Sequence, residues 1–398
     1  MILLATADWH IQDSTIEEAT KCLDFLVQTA ETEEPAVIIH AGDTFNSGDV
    51  KLDSKAAKLV IRTFNRLADI APVAVILGTP SHDSTAAEIL SFVRGKYPIH
   101  VAAKPEQIFL SSGIGFVDIE DAVKSGGCDA VISLMPAPTK QFFQGSGDIK
   151  QGDAEIAAAM SAIFAGMGST AAGFPAPHIL VGHWSTTGSL ISETQVLTGV
   201  DIEISPDMMM LANPLLVCLG HIHFRQQIKK NIFYSGSLFA NNWGELDDKG
   251  FYIHEIGDEV VSRFIKTPSR KLLRYVFDYT DPETLKSLND DAENVAGAHI
   301  RIDATVWQDE VEKMDFETMK EGLLRWGAES VDIRITRLPR ENIRADAVLK
   351  AETLRDKLIA AAALRDEKVS DSILHKSDAL EHMDAEELVK MIGKGVAA

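Results

Sequence analysis

The chain has 398 residues, of which 45% are hydrophobic and 24% charged, and its formal net charge is −21 because 59 acidic residues outnumber 38 lysines and arginines. This acidic balance argues against a free-standing DNA binder, which carries a basic stripe. No apolar run is long enough to span a membrane, and the first ten residues lack the basic start of a secretion signal, so we expect a cytoplasmic protein without a membrane partner. The length predicts two or three domains.

The amino-terminal two thirds of the chain alternate between strand and helix patterns. Short apolar runs that stop at turn residues are typical of central strands, and they occur at residues 1–7, 36–41, 73–77, 178–181 and 215–219. Helical periodicity at residues 15–32 and 53–69 predicts a β-α-β-α-β opening, with Asp13 or Ser14 as N-cap of the first helix. Residues 153–167 predict another helix, and residues 232–256 predict short strands that close a second sheet. Such crossovers build sheets covered by helices.

The remaining third predicts a smaller module and a helical tail. Residues 299–306 and 331–337 alternate as strands, and residues 315–326 form a predicted helix that stops at Gly327. After Pro339, residues 345–365 carry an apolar helical stripe, and Asp384 with Glu387 starts a capping pattern for a last helix. These helices either pack on their own globular body or bind a partner. We therefore expect domain boundaries at 1–265, 266–340 and 341–398.

Potential metal ligands follow each of the five predicted central strands. In α/β sheets ligands gather beyond the carboxyl ends of the strands, so these side chains should meet at one edge. Imidazoles and carboxylates suit first-row metals, and a carboxylate reached by two ions can bridge them. A single motif of this kind is usually a turn, but their order indicates one two-metal site. The motifs are Asp8-Trp9-His10, Gly42-Asp43, Ser81-His82-Asp83, Gly182-His183 and Gly220-His221-Ile222-His223.

In this order the motifs resemble those of the calcineurin-like metallophosphoesterases, which run D-x-H, G-D, G-N-H-D/E, G-H and G-H-x-H. The chain is similar in particular to the SbcD family, the nuclease subunits of SbcCD double-strand-break repair complexes. The resemblance implies an α/β fold, a four-layer α-β-β-α sandwich with a small α+β capping domain and a C-terminal helical tail. The segments that carry it are residues 41–45, 219–223, 234–237, 243–245 and 249–251.

The resemblance also implies how two ions would be held, with Asp43 as the bridging ligand. The ligands of the first ion would be Asp8, His10, Asp43 and His223, and those of the second Asp43, the amide position of the third motif, His183 and His221. We expect two divalent ions, with manganese preferred and Mg²⁺, Zn²⁺ or Fe²⁺ as alternatives.

His82 occupies the place of the family's histidine that binds no metal, which steadies the phosphate or protonates the leaving oxygen. A histidine that titrates near neutrality suits that proton transfer. The adjacent Asp83 is predicted to orient its ring and raise its pKa. The sequence therefore predicts His82 and Asp83 as the catalytic pair beside the metals.

The third motif departs from the family pattern, because the chain reads Gly78-Thr79-Pro80-Ser81-His82-Asp83 where the family has Gly-Asn-His-Asp. Two residues are added, and Ser81 stands where the asparagine ligand is expected. A hydroxyl is a poorer neutral ligand than an amide carbonyl. Ser81 coordinates weakly, a water substitutes, or a backbone carbonyl of this turn takes the place.

Three functions fit these features. Two cations neutralise a phosphodiester and activate the attacking water, so no protein nucleophile is needed. The chain has no G-x-S-x-G, Walker A or dinucleotide motif, which argues against acyl transfer and independent ATP hydrolysis. The first hypothesis, which the family resemblance implies, is a DNA nuclease, a 3′-5′ double-strand exonuclease and single-strand or hairpin endonuclease in DNA repair and recombination. The second is a stand-alone phosphoesterase acting on nucleotides or small phosphates, and the third is a degenerate scaffold without catalysis.

The family resemblance also implies partners for the nuclease hypothesis. These are DNA, an SbcC-type coiled-coil ATPase that binds the helical tail, and a second copy of the chain within a heterotetramer. The helices at residues 15–32 and 53–69 are the predicted dimer contacts. A basic partner and the metals would then supply the attraction for phosphate that the acidic chain lacks.

Overall fold

The computed structural model describes residues 1–84, 87–138, 153–192, 195, 202–281, 294–339, 343–365, 367–384 and 387–388. The loop predicted at residues 144–152 and most of the last predicted helix lie outside these residues. The described strands are β1 (Ile2–Thr6), β2 (Val37–His40), β3 (Val73–Ile76), β4 (Ile99–Ala102), β5 (Glu106–Ser111), β6 (Gly115–Val117), β7 (Ala130–Met135), β8 (His178–His183), β9 (Leu216–Gly220), β10 (Gln226–Lys229), β11 (Ile232–Tyr234), β12 (Gly250–Ile256), β13 (Val260–Lys266), β14 (Lys271–Asp278), β15 (Ala298–Trp307) and β16 (Ser330–Leu338).

The helices fall between and after these strands. They are α1 (Ile16–Glu33), α2 (Lys55–Ile70), α3 (Ile119–Lys124), α4 (Asp153–Ala171), α5 (Pro206–Met209), α6 (Phe316–Arg325), α7 (Ile343–Lys350), α8 (Leu354–Ala363) and α9 (Asp371–His382). Within the described part of the chain, no helix is long and apolar enough to cross a membrane.

Two large sheets place the ends of their parallel strands at one edge. The first has the order β13-β12-β1-β2-β3-β4 and the second the order β10-β11-β9-β8-β7-β5-β6. Strands β1, β2 and β3 are parallel, as are β7, β8 and β9. Within each sheet the carboxyl ends of the parallel strands share an edge. Hydrogen bonds from His183 to the carbonyl of Ala41, at 2.7 Å, and from the amide of His221 to Asp8, at 2.8 Å, join the turns of the two sheets.

Alternating apolar residues of the strands bury both faces of each sheet. On β1, Leu3 packs between the sheets with Val181, whereas Leu4 packs with Leu26 of α1 and Phe64 of α2. On the far side of the second sheet, α4 contributes another buried cluster. Strands with alternating residues on two faces, both covered, require this layering. The predicted four-layer α-β-β-α sandwich is thus confirmed.

Local differences from the predicted elements have simple causes. Neither Asp13 nor Ser14 caps α1, whose N-cap is Thr15; Asp13 instead accepts a hydrogen bond at 2.8 Å from the amide of Ala56 in the first turn of α2. The single helix predicted at residues 345–365 is wrong, because it divides into α7 and α8. Thr353 caps α8 by accepting from the amide of Asp356 at 3.1 Å.

Other predicted ends are confirmed. Gly327 has φ 95 and follows α6, as a helix stop requires. Asp384 and Glu387 form the predicted capping box, in which the Asp384 carboxylate accepts from the Glu387 amide at 2.9 Å and the Asp384 amide donates to Glu387 at 3.4 Å.

The chain divides into two compact units. The first comprises residues 1–275, 288–302 and 320–332, and the second residues 276–287, 303–319 and 333–398. Strands β14, β15 and β16 form a three-stranded sheet in that order, which adds β14 to the predicted β-α-β module. In the second unit, α8 and α9 are joined by an ion pair between Arg355 and Asp378. The boundaries at residues 265 and 340 stay a prediction.

Candidate metal centre

Three groups of side chains at the shared strand edge have the composition and spacing of metal sites. They are Asp8, His10 and His223; His10, Asp43 and His82; and Asp43, His183 and His221, and within each group the potential ligand atoms lie within 4.8 Å of one another. The first and last groups draw on both sheets.

Asp43 lies at the centre of these groups. Its Oδ2 atom is 3.2 Å from His183 Nε2 and 3.6 Å from His10 Nε2, so one carboxylate oxygen faces members of both outer groups. All three side chains are buried. A carboxylate shared in this way is the arrangement expected of a ligand that bridges two ions.

Unusual backbone conformations aim these side chains at a common point. Four of these residues have positive φ angles: 51° for Asp8, 45° for His10, 54° for Asp43 and 92° for His221. The turns after β1 and β2 are joined by hydrogen bonds from the amide of Asp8 to the carbonyl of Gly42, at 3.0 Å, and from the amide of His10 to the carbonyl of Asp43, at 3.1 Å. Residues other than glycine adopt such angles at a cost of about 1–3 kcal/mol each, and they cluster at functional sites.

The close approach of these turns depends on glycine. A Cβ atom on Gly78 would lie 2.2 Å from Asp43 Oδ1, and one on Gly220 would lie 2.2 Å from the carbonyl oxygen of Ala41. Contacts this short are not tolerated, so each position excludes a side chain. The glycines of the third and fifth motifs therefore allow the site to close.

The imidazoles are oriented through Nδ1. His183 Nδ1 donates to the carbonyl of Ala41 at 2.7 Å, and His82 Nδ1 donates to the carbonyl of Asn46 at 2.8 Å. A carbonyl only accepts, so each ring holds its Nδ1 proton and keeps Nε2 for the site.

His223 is held by a buried carboxylate. Its Nδ1 donates to Glu245 Oε1 at 2.8 Å, and Glu245 Oε2 accepts from Ser237 Oγ at 2.9 Å. Lys249 Nζ lies 3.1 Å from Glu245 Oε2 and donates to the carbonyl of His223 at 3.0 Å. Gln195 adds two bonds to the same turn, donating to the carbonyl of His221 and accepting from the amide of His223 at 3.1 Å. Carboxylates behind ligand histidines fix the ring and raise its basicity.

The site is a dense set of groups that perturb one another. Burial raises the pKa of Asp8 to about 6, partly offset by the charges of His183 and His223. Burial alone would raise the pKa of Asp43, but the charge and hydrogen bond of His183 hold it well below its usual range. Burial alone would lower the pKa of His183, but Asp43 raises it to about 9. Burial lowers the pKa of His10, and that of His221 to about 3.

Polar atoms without partners show that these residues fit a cation. Among the described residues, Asp8 Oδ2 and His10 Nε2 are buried and make no hydrogen bond. Buried polar atoms normally have a partner, and leaving one without is costly. Carboxylate oxygens and imidazole nitrogens together are ligands for divalent first-row ions. The donor set therefore fits two such ions.

The structure does not bring Ser81 to this site. Ser81 is exposed, and its carbonyl accepts from the amide of Gly48 at 2.8 Å. Thr79 lies there instead, with Oγ1 3.3 Å from Asp43 Oδ2 and 3.2 Å from His183 Nε2. The two added residues thus follow the position that faces the ligands, rather than precede it.

Asp83 has a different place from the one predicted. Its carboxylate accepts hydrogen bonds from the amides of Thr44, at 2.9 and 3.1 Å, of Phe45, at 3.3 Å, and of Gly78, at 3.0 Å. No hydrogen bond joins it to His82 among those the structure describes, and Asn46 orients that ring. Burial raises the pKa of Asp83 to about 6. Asp83 ties the turns after β2 and β3 together, so it acts on the site through the backbone.

The fold and this site together indicate a class of enzyme. Residues 1–126 match the model of the calcineurin-like phosphoesterase family. Together with the histidine and aspartate groups, this match makes the chain a metal-dependent phosphoesterase in kind.

A particular relative narrows the resemblance. The chain is 26% identical over 290 residues to the SbcD subunit of the SbcCD nuclease of Staphylococcus saprophyticus, and the match covers 71% of this chain and 73% of the relative. The resemblance to SbcD-type nuclease subunits is thereby confirmed. Among solved structures, GAP50, the anchor in the inner membrane complex of Plasmodium, superimposes with a TM-score of 0.44 and 15% identity, over 67% of this chain and 85% of GAP50.

Sequence reasoning missed three residues around the site. Thr79 directly follows Gly78, as the family asparagine follows its glycine, and that adjacency was the available signal. Glu245 lies in a motif that carried the resemblance, but its contact with His223 depends on tertiary structure. Gln195 gave no signal, because nothing in its local sequence links it to the turn at residues 221–223.

Proposed function

We propose that this chain is a two-metal-ion DNA nuclease and the nuclease subunit of an SbcCD-like complex. The observation that carries the proposal is the position of Asp43 between the Asp8, His10, His223 group and the His183, His221 group. The named activity of the Staphylococcus saprophyticus relative supports DNA as substrate. Manganese is the preferred ion, because imidazole with carboxylate suits borderline first-row metals.

When bound, two divalent ions would neutralise the phosphodiester and activate water for attack. Asp8, His10, Asp43 and His223 would hold one ion, and Asp43, His183 and His221 the other. The protein's own contribution is to fix these groups before substrate arrives. The hydrogen bonds to Ala41 and Glu245 set the ring orientation of His183 and His223, so little reorganisation remains for the reaction.

His82 is the proposed proton donor to the leaving oxygen. Its ring is half-buried and meets the His10 ring edge-on at 4.6 Å between centroids, so it lies beside the ligands and within reach of substrate. Its bond to Asn46 occupies Nδ1, which leaves Nε2 to carry the proton. A positioned imidazole of this kind typically contributes about 10²–10⁴ in rate.

The exposed surface of the helical tail supports binding of a partner protein. Apolar side chains along α7, α8 and α9 are exposed to solvent, among them Leu349 at 78% and Leu380 at 62%. Exposed apolar side chains on amphipathic helices are typical of a docking surface. We propose that an SbcC-type coiled-coil ATPase covers them. A homodimer within a heterotetramer and a cytoplasmic location belong to the same proposal.

One observation favours a second candidate, a stand-alone phosphoesterase for nucleotides or small phosphates. The net charge of −21 repels a polyanion, whereas a small phosphate needs only the metals. The apolar tail fits this candidate poorly.

Cleavage of defined substrates separates the candidates. We would measure manganese-dependent cleavage of linear duplex DNA, hairpin DNA and a small chromogenic phosphodiester, with and without the ATPase. The variants are Asp8→Ala and His82→Ala, with His100→Ala as the matched control, since His100 lies outside the site and pairs with Glu106 at 3.1 Å.

We expect the wild type and His100→Ala to cut DNA, and both site variants to lose at least about 10²-fold in rate. Cleavage of the small diester alone, under every metal and partner condition, would overturn the nuclease proposal in favour of the second candidate. No turnover of any substrate would favour the scaffold.

A further inference from the structure

We propose that the Thr79 hydroxyl is the neutral oxygen ligand of the ion held by Asp43, His183 and His221, and that this ion is the more weakly bound of the two. The inference rests on the two-metal centre of the proposed function. It replaces Ser81, the residue that the spacing of the motif had favoured.

The distances around Thr79 match one face of a coordination sphere. Thr79 Oγ1 is 3.3 Å from Asp43 Oδ2 and 3.2 Å from His183 Nε2, and the last two atoms are 3.2 Å apart. Oxygen and nitrogen ligands lie about 2.0–2.2 Å from a first-row ion, so neighbouring ligands of one ion are about 3.0–3.5 Å apart. The three atoms therefore form a nearly equilateral triangle of the size that one ion would span.

The backbone fixes Thr79 in this position. Its amide donates to Asp43 Oδ1 at 2.6 Å. Its carbonyl accepts from the amides of His82 and Asp83, both at 2.8 Å, which closes the turn that contains the two added residues. Thr79 is thus held between Asp43 and the turn, while Ser81 at the outer side of that turn is exposed. The longer loop keeps an oxygen at the site and changes only its chemistry.

The ligand sets predict unequal affinities. One ion would have two carboxylates, Asp8 and Asp43, whereas the other would have only the shared Asp43 and a neutral hydroxyl. The charge count of the ligands is a main determinant of affinity for divalent ions. A hydroxyl is also a poorer donor than the amide carbonyl of asparagine. Thr79 therefore sets how tightly the second ion is held.

Manganese titration of the metal-free full chain tests this without reference to activity. Isothermal titration calorimetry would follow the wild type, Thr79→Val, Thr79→Ser, Thr79→Asn and the control Ser81→Ala, with thermal melting of each metal-free protein. Valine matches threonine in shape and keeps the hydrogen bond from the backbone amide of residue 79 to Asp43. Serine keeps the hydroxyl and lacks only the methyl group.

We expect two binding steps in the wild type, and a second step weakened by about tenfold or more in Thr79→Val. Thr79→Ser and Ser81→Ala should match the wild type, and Thr79→Asn should bind the second ion more tightly. Equal second steps in Thr79→Val and the wild type, or a loss in Ser81→Ala alone, would overturn the inference and leave the two-metal centre intact. If the wild type bound fewer than two ions, both the centre and this inference would be overturned.

Discussion

At the scale of single residues, Glu245 shows how much of the site lies behind the ligands. It is buried and accepts from His223, Ser237 and Asn242, and it pairs with Lys249. Burial alone would raise its pKa, but His223 and Lys249 lower it to about 2, so it is a carboxylate at neutral pH. The charge that orients His223 is therefore present under all ordinary conditions.

Glu245→Gln removes this charge and keeps the shape. We expect manganese affinity to fall by about 10–100-fold, as is usual when the partner behind a ligand histidine is lost. Unfolding in urea should also show a loss of about 2 kcal/mol, because charge-assisted hydrogen bonds of Glu245 are weakened while Lys249 keeps its second carboxylate partner, Asp247, at 2.9 Å. Glu259→Gln is the matched control, since Glu259 pairs with Lys230 on the surface and touches no ligand. Wild-type affinity in Glu245→Gln would refute the assigned role.

The absence of a side chain at Gly78 leads to a prediction about metal binding. Gly78→Ala would put a methyl group 2.2 Å from Asp43 Oδ1, so the Asp43 carboxylate must move. We expect the purified variant to retain fewer than two manganese ions per chain, measured by mass spectrometry of the metal content.

Gly166→Ala serves as its control. Gly166 lies within α4, and an added Cβ meets nothing within 4 Å. There the substitution should keep both ions and stabilise the fold by up to about 1 kcal/mol, because alanine favours a helix interior. Full metal content in Gly78→Ala would contradict the close approach of the two turns.

At this scale the sequence predicts which potential ligands lie together, but not the residues that support them. Asp8, His10, Asp43, His183, His221 and His223 follow strand ends in a fixed order, and the structure brings these six together. Spacing alone could not predict which residue of the third motif faces Asp43 and His183, because the two added residues can lie before or after that position. The hydrogen-bond partners of Asp83 could not be predicted either, because its carboxylate accepts from the amides of Thr44 and Phe45 in the turn after β2 and of Gly78 in its own turn, and not from His82.

At the scale of elements, β12 contains a buried histidine that makes stability depend on pH. His254 is fully buried beside Phe233 and Tyr252, and its Nδ1 is 2.8 Å from Ser262 Oγ. Burial lowers the pKa of His254 from 6.5 to about 3. The unfolded chain takes up a proton at pH 6.5 and the folded chain does not, so stability is full above pH 6.5 and falls as the pH drops towards 3.

Because of this histidine, the free energy of unfolding should be about 2 kcal/mol lower at pH 5 than at pH 7. In His254→Gln, the difference between the two pH values should be smaller by that amount. Urea unfolding of the wild type and the variant at both pH values measures it. The control is His375→Gln, because His375 is exposed on α9. An unchanged pH dependence in His254→Gln would contradict the assignment of a neutral, buried ring.

The elements that the sequence predicts well are those with strong local patterns. The five central strands and helices α1, α2 and α4 are long or fully apolar. Strands β4 and β6 were missed because they are short and only partly buried, so their sequences lack a clear alternation. Strand β7 is fully buried, and its apolar run carries the same signal as the predicted central strands. The break between α7 and α8 was missed because the apolar stripe continues through it, while the Thr353 cap starts a new helix.

At the scale of the whole molecule, the acidic charge predicts how DNA binding responds to salt. A basic protein with six to ten phosphate contacts loses about 10³–10⁵ in affinity between 50 and 200 mM salt. We expect the isolated chain to bind duplex DNA weakly and to lose less than about tenfold over this range. Fluorescence anisotropy with labelled duplex measures how the DNA affinity changes with salt concentration, for the chain alone and for the chain with the ATPase. A steep slope for the isolated chain would show a basic surface that the net charge of −21 conceals.

The central claim is that Asp43 bridges two ions held by ligands from both sheets. Anomalous diffraction at the manganese edge, from crystals of the full chain grown with Mn²⁺, tests it most directly. We predict two peaks about 4 Å apart, one beside Asp8, His10 and His223 and one beside His183, His221 and Thr79, with Asp43 between them. A single peak, or ions bound away from Asp43, would contradict the account.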